Sequence, residues 1–328
     1  MITNIETCGT KISYDSDLDV YDYLIKNQQT IELPDIKISR GECGKYIVRY
    51  RDSVDKKIKC YNNEIQIFYP KEEINEATVI YPAFALIEKQ LFENNMTSFH
   101  SACVTKDDAG ILLMGKTGSG KTTTAINLCI NYDYMLMSND KTILHSDKDG
   151  LVGVNGPKFV FLRYESIKRN IPKLLPVFEG KIVDSNYVHD KTNNIDTWLQ
   201  KVKVQPSELG IKESANNIPI ESAFLLHVDE NQKNLVVRNA GNLQSTLYIT
   251  ECLNKMIRAL EINVNDKYCR PIGYIDSYDN EKNFEFKQQI TNQIIDDLKL
   301  IYISGNIKDI SDYIDDNHKK MIKKKKEV

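Results

Sequence analysis

The sequence predicts an α/β protein: a core built around a phosphate-binding loop, preceded by a β-rich unit. Three observations carry that prediction. Residues Gly115-Lys116-Thr117-Gly118-Ser119-Gly120-Lys121-Thr122 form a glycine-rich loop, and the run before it, Ile111-Leu112-Leu113-Met114, is wholly apolar. After it, Ala125, Leu128, Cys129 and Tyr132 share one helical face that Ile126 and Ile130 widen. A continuous apolar run suits a strand buried on both faces, and a wide apolar helical face suits a central helix.

The chain has 328 residues, which at roughly 100–200 per domain implies about two domains. The expected division is a β-rich unit over 1–97, a phosphate-loop domain over 98–317 and a basic tail over 318–328. Hydrophobic residues make up 41% and charged residues 27%, ordinary globular usage that supports neither a disordered nor a fibrous chain. With 43 basic and 46 acidic side chains the net charge is −3, so nucleic acid is not indicated as a partner, nor is a membrane surface. The seven cysteines, Cys8, Cys43, Cys60, Cys103, Cys129, Cys252 and Cys269, include no CxxC pair, and an odd number cannot all be paired. They read as reduced thiols. No basic-then-apolar leader stands at the N-terminus and no stretch approaches the roughly 18 apolar residues of a span, so the expected location is the cytoplasm.

In chain order, Ile36–Ser39, Lys45–Tyr50 and Glu64–Tyr69 read as short strands of a small antiparallel unit, the last alternating polar and apolar. Phe84, Ile87 and Leu91 recur at helical spacing after Pro82, which predicts a helix beginning near that proline. His100–Val104 reads as a strand, Lys106–Gly110 as a turn and Ile111–Met114 as the strand entering the loop. Beyond the loop helix, Tyr134–Met137 is another apolar strand, closed by Ser138-Asn139-Asp140. Thr142–Leu144 and Lys158–Arg163 read as strands, and 178–218, which contains the sole tryptophan Trp198, as a long irregular loop. Glu221–Val228 and Leu235–Arg238 read as a hairpin about Asp229-Glu230-Asn231. Ile249, Leu253, Met256, Ile257 and Leu260 mark one amphipathic helix, and Phe286, Ile290, Ile294 and Leu298 another. The lysines 323–326 read as a solvated end.

The chemistry lies in the loop. Its eight residues match the phosphate-loop pattern in the strand–loop–helix context that makes such a match specific. Glycines at 115, 118 and 120 let backbone N–H groups turn inward at a helix N-terminus, where the dipole favours negative charge. Lys121 brings a positive charge to the β- and γ-phosphates, and the Thr122 hydroxyl suits Mg²⁺. Asp140 follows nineteen residues after Lys121, room for one helix and one returning strand, so it can face the same ligand as metal ligand or as general base. Arg163, at a strand end, suits a phosphate clamp or a structural salt bridge, the latter being the ordinary role. His145, His189, His227 and His318 lack metal-ligand spacing, so zinc is not indicated.

The order His100, apolar strand, Gly115–Thr122 loop, helix, Ser138-Asn139-Asp140 resembles HPr kinase/phosphorylase and its relatives, with a P-loop core of the phosphoenolpyruvate-carboxykinase type. The resemblance covers about residues 98 to 163 well and 221 to 260 loosely. It implies an ATP-dependent, Mg²⁺-requiring kinase that phosphorylates a hydroxyl, of serine in a peptide or protein or of a small metabolite. It implies catalytic roles for Asp140, His100 and Lys121. Nucleotide contacts fall to Gly115, Lys116, Thr117, Gly118, Ser119, Gly120, Lys121, Thr122 and Thr123, and metal contacts to Thr122, Asp140 and Asn139. Asn139 stands where the first of two acids is expected; an amide can ligate a metal through oxygen but cannot take a proton, which leaves the base role to Asp140. No counterpart of the family's long signature follows the core, so neither HPr as substrate nor the reverse reaction is expected. Relatives are commonly homo-oligomers. The alternative reading is a nucleotide-dependent ATPase or switch without a phosphorylated product; no LSGGQ stretch is present.

Overall fold

The computed structural model describes residues 2–27, 33–73, 76–184, 201–254, 261–265, 271–276 and 280–327, and the chain is α/β. In order the elements are β1 (Ile2–Thr7), β2 (Thr10–Ser16), α1 (Val20–Asn27), β3 (Lys37–Arg40), β4 (Ile47–Asp52), β5 (Lys57–Tyr61), β6 (Glu64–Tyr69), α2 (Glu76–Glu93), β7 (Met96–Phe99), β8 (Ala102–Lys106), β9 (Ala109–Met114), α3 (Lys121–Asn131), β10 (Met135–Ser138), β11 (Thr142–Asp147), β12 (Gly150–Asn155), β13 (Val160–Arg163) and α4 (Tyr164–Asn170). There follow α5 (Leu175–Asp184), β14 (Lys201–Val204), β15 (Ile218–Val228), β16 (Val236–Asn239), α6 (Asn242–Leu253), β17 (Glu261–Asn265), β18 (Pro271–Asp276), α7 (Glu281–Asn292), β19 (Ile301–Gly305) and α8 (Ile307–Lys326).

The chain divides into two compact units, Met1–Phe99 with Tyr248–Gln289, and His100–Leu247 with Ile290–Val328. The first contains a six-stranded sheet in the order β3-β1-β2-β4-β6-β5. Its core is set by alternation: in β6, Ile65, Ile67 and Tyr69 are buried and the residues between them half-buried. The expected antiparallel arrangement holds for β1 with β2 and β3 and for β5 with β6, but β4 runs parallel to both β2 and β6. Tyr14 Oη donates to the Val79 carbonyl at 2.9 Å and the Gln90 amide bridges both backbone groups of Lys11, which fastens α2 to β2. This helix starts at Glu76, well before the proline that the sequence suggested as its beginning, and carries Pro82 inside. Proline forfeits one helical hydrogen bond, and burial of Val79, Ile80, Ala83, Ala85, Leu86 and Leu91 offsets that loss.

The second unit positions the loop. Strands β10, β8, β9 and β15 lie side by side; β8 is antiparallel to both neighbours and β15 parallel to β9. At its start β15 pairs with β12, which pairs with β11, and at its end it runs parallel to β19. The expected hairpin of β15 with β16 does not form. Strand β19 lies between them, parallel to β15 and antiparallel to β16, because a later apolar strand completes the buried sheet better than a hairpin edge would. The inward faces of α3 and α8 close the core with Leu113, Leu128, Leu136, Phe224, Ile303 and Ile310, and Asn127 donates to Ser311 Oγ at 2.8 Å.

The described parts of 178–218 are more regular than a loop: α5 runs to Asp184, β14 pairs with β13, and a short 3₁₀ turn spans Pro206–Leu209. Trp198 lies outside the described residues; of the amphipathic helix expected over 249–260, Ile249 and Leu253 fall on α6, and Met256, Ile257 and Leu260 lie outside the described residues. Residues read as a basic tail continue α8, whose His318 is buried.

Candidate functional site

Three strand ends meet at one edge of the second unit. β9 ends at Met114 and enters the glycine loop; β10 ends at Ser138; β8 runs the opposite way between them, so it begins where they end. This antiparallel insertion brings His100 and Asp140 together across forty residues of chain. His100 Nε2 donates to Asp140 Oδ1 at 3.2 Å, with the ring 9% and the carboxylate 47% exposed.

The loop is shaped by its glycines, all with positive φ: 153° at Gly115, 85° at Gly118 and 96° at Gly120. At Gly120 a side chain would also collide, since a Cβ there would lie 2.3 Å from Val228 Cγ2. Val228 is that close because its N–H donates to the Ser119 carbonyl at 3.0 Å, tying β15 to the loop. No side chain caps α3 at Gly120, and the first-turn N–H groups of a helix have no intrahelical acceptor. Lys121 Nζ donates to the Gly115 carbonyl at 2.6 Å and to that of Lys116 at 3.3 Å. Ser119 Oγ is buried over Gly115 with no hydrogen-bond partner among the described residues. Lys116, Thr117 and Gly118 form the exposed rim.

Thr122 and Asn139, assigned together to a metal, are in contact: Thr122 Oγ1 donates to Asn139 Oδ1 at 2.8 Å. The amide is fixed from behind. Asn139 Nδ2 donates to the Phe159 carbonyl at 3.3 Å and its backbone N–H to the Pro157 carbonyl at 2.7 Å. Such an approach requires Gly156, where a Cβ would fall 2.2 Å from Ser138 Cβ and 2.3 Å from the Lys141 carbonyl. A register shift near the end of β10 turns Ser138-Asn139-Asp140 toward the loop, and Asp140 sits at φ 66°. Buried hydroxyls pin the two strand ends: Thr142 Oγ1 lies 2.7 Å from Ser101 Oγ and 2.7 Å from Ser138 Oγ.

Burial works against the charge of Asp140, but the hydrogen bond from His100 and the positive fields of His100, Lys141 and Lys121 outweigh it. Its carboxyl is held below the ordinary carboxylate range, so it is ionised at neutral pH. The residues fit a hard cation attended by phosphates: a hydroxyl, an amide oxygen and one carboxylate, all oxygen donors. Among the described residues no three His, Cys, Asp or Glu side chains cluster as a metal site of their own.

The remaining candidates lie elsewhere. Thr123 Oγ1 is 3.0 Å from Ser166 Oγ on α4. Arg163 makes no ion pair among the described residues, so the expected salt bridge is not formed there, and it is exposed. His145 pairs with Asp147 at 3.3 Å, His318 lies 3.2 Å from Asp107, His227 is exposed, and His189 is outside the described residues. Sequence reasoning passed over Ser101, Thr142, Gly156, Pro157, Phe159, Ser166 and Val228. Only the tight Gly156-Pro157 dipeptide carried a local signal, that of a turn.

No family model matches the chain. Over 178 residues it is 25% identical to HPr kinase/phosphorylase of Bacillus subtilis (strain 168), a match covering 54% of this chain and 54% of that protein. The chain is similar to HPr kinase/phosphorylase. It spans about half the length of that relative. A solved structure of the Hpr(Ser) kinase/phosphatase from Coxiella burnetii aligns with 60% of this chain and 88% of that one at 13% identity, with a TM-score of 0.22. No helix among the described residues is long and apolar enough to cross a membrane.

Proposed function

We propose that the chain is an ATP-dependent kinase that transfers the γ-phosphoryl group to a hydroxyl, of serine in a peptide or protein or of a small metabolite. One observation carries the reading: an ionised Asp140, hydrogen-bonded to His100 at 3.2 Å, stands at the sheet edge that also holds the Gly115–Thr122 loop. A phosphate loop alone serves many chemistries, whereas a fixed carboxylate beside it can orient an alcohol and accept its proton. The similarity to HPr kinase/phosphorylase supports the same choice.

In this reading the loop N–H groups and Lys121 hold the β- and γ-phosphates, Lys121 exchanging its loop carbonyls for phosphate oxygens. Thr122 Oγ1 and Asn139 Oδ1 would hold Mg²⁺, which leaves Asp140 to act as the base. Bound Mg²⁺ supplies charge neutralisation on the phosphates. Asp140 orients the acceptor hydroxyl and takes its proton, and His100 fixes the carboxylate through Oδ1, leaving Oδ2 for the acceptor. Positioning and electrostatics account for most of the acceleration in such a transfer.

A cytoplasmic location accords with the free thiols of Cys8, Cys43, Cys60, Cys103, Cys129 and Cys252. A homo-oligomer is expected from the resemblance and is checked by light scattering.

The test is transfer of label from γ-labelled ATP to serine peptides and to fractionated metabolites. Asp140→Asn should lose transfer while retaining affinity for an ATP analogue. Retained transfer in that variant would sink the base assignment, and label released only as free phosphate would favour an ATPase or switch.

A further inference from the structure

Beside the phosphate loop, β13 and β14 form a two-stranded sheet with two unlike faces. Val160, Leu162, Val202 and Val204 are buried in the core, so strand alternation turns Phe159, Phe161, Arg163 and Lys203 to the opposite side. That side is ordered. The rings of Phe159 and Phe161 meet edge to face with centroids 5.6 Å apart, and Lys203 Nζ lies 3.5 Å from the Phe159 ring centroid. Across the ladder Phe161 is paired with Lys203, and Arg163 with Lys201. The Arg163 side chain is exposed and forms no ion pair among the described residues.

Two further observations give this face a direction. Residues 158–174 hold Lys158, Arg163, Lys168, Arg169 and Lys173, in a chain whose net charge is −3; Lys158 pairs with Glu213 and Arg169 with Glu165, which leaves Arg163, Lys168 and Lys173 outside any ion pair among the described residues. The positive charge is therefore local. The face also adjoins the site: the Phe159 carbonyl accepts from Asn139 Nδ2 at 3.3 Å, and Ser166, just past Arg163, meets Thr123 of α3 at 3.0 Å.

We propose that this face docks the phosphoryl acceptor, and that the acceptor is a polypeptide with acidic residues flanking its hydroxyl. The inference rests on the kinase reading for the word acceptor, and on the sheet face itself for the partner's chemistry. Small molecules are held in concave pockets, whereas a strand face with half-buried rings and an exposed arginine offers rows of side chains that match an extended peptide. Guanidinium binds carboxylate through paired hydrogen bonds, and ordered aromatic rings beside it add apolar contact at little entropic cost. The nucleotide has no need of this face, because its phosphates are matched by the N–H groups of the loop and by Lys121. RNA is the less suitable partner, since affinity for a phosphate backbone needs many cationic contacts and this face turns out few.

The experiment compares the wild-type chain with the double variant R163E/K203E, and with R163Q/K203Q in case charge reversal disturbs folding. Fluorescence anisotropy measures binding of a serine peptide flanked by glutamates, the same peptide flanked by lysines, and an oligouridylate; a fluorescent ATP analogue is titrated alongside. The glutamate peptide should bind best, weaken about tenfold in R163E/K203E and less in R163Q/K203Q, and lose affinity as salt is raised. Affinity for the ATP analogue should not change. Equal binding of the two peptides, or no loss in either variant, overturns the proposal. A parallel loss of the ATP analogue would assign the charge to nucleotide steering, and stronger binding of the oligouridylate would assign it to RNA; both overturn it as well. Glutamate-peptide binding without phosphoryl transfer would remove the kinase reading and leave the docking surface standing. Transfer without charge preference would do the reverse.

Discussion

Gly120→Ala tests the construction of the loop most directly. The residue sits at φ 96° and ψ 10°, where an L side chain is disfavoured by roughly 1–2 kcal/mol. The added methyl would lie 2.3 Å from Val228 Cγ2 and 2.6 Å from Val228 Cβ. Neither partner can withdraw freely, because Val228 N–H is bonded to the Ser119 carbonyl at 3.0 Å and Val228 also packs against the core. Overpacking of this kind costs about 1–3 kcal/mol, so the combined loss should be about 2–5 kcal/mol. Urea unfolding followed by circular dichroism reads that number, and titration of a fluorescent ATP analogue reads the loop, whose affinity should fall. Val228→Gly in the same background removes both clashing atoms and should recover the steric part while leaving the backbone part. A loss below about 1 kcal/mol in Gly120→Ala, or no coupling between the two substitutions, would refute the reasoning.

Further expectations follow from the same geometry. Asp140 has a lowered carboxyl value in the folded chain, so the stability it contributes is fully present above the unfolded value of about 3.9 and is lost as pH falls through the lower folded value. His100→Ala removes one source of that lowering; urea unfolding should therefore show a shallower acid loss in the variant, and an unchanged difference from wild type across the acid range would count against the pair. Asn139→Ala removes the acceptor of the Thr122 hydroxyl and should weaken nucleotide affinity about tenfold with Mg²⁺ present but leave it unchanged in EDTA. An equal loss in both buffers would show that Asn139 only supports the loop. Asp140→Asn separates binding from transfer, and loss of ATP-analogue affinity in that variant would place the carboxylate among the nucleotide contacts instead.

Much of this protein was legible from residue order alone, and the reason is locality. The loop Gly115–Thr122, the apolar run before it and the helix after it are contiguous, and each reports its own conformation through composition and period. Glu64–Tyr69 formed the strand its alternation implied, for the same reason. Local pattern misjudged the cases that long-range packing decides. Pro82 marks a helix start only where nothing holds the preceding turn, and here buried apolar residues on both sides carry the helix through it. Glu221–Val228 and Leu235–Arg238 looked like a hairpin, but β19, some sixty residues later, occupies the place between them.

The candidate site divides along the same line. The sequence by itself determined the residue types: a lysine and a threonine ending a glycine loop, an aspartate one strand later, a histidine at the head of the two strands before. Tertiary structure alone decided that they meet. Because β8 runs antiparallel between β9 and β10, its first residues lie at the edge where the other two end, and His100 reaches Asp140. The orientation of Asn139 came from the Phe159 and Pro157 carbonyls, which no pattern around residue 139 announces. The cationic aromatic face appeared only once β14, about forty residues after β13, paired with it. Period and composition report what a segment buries; which segments share an edge is set by the packing of the whole sheet.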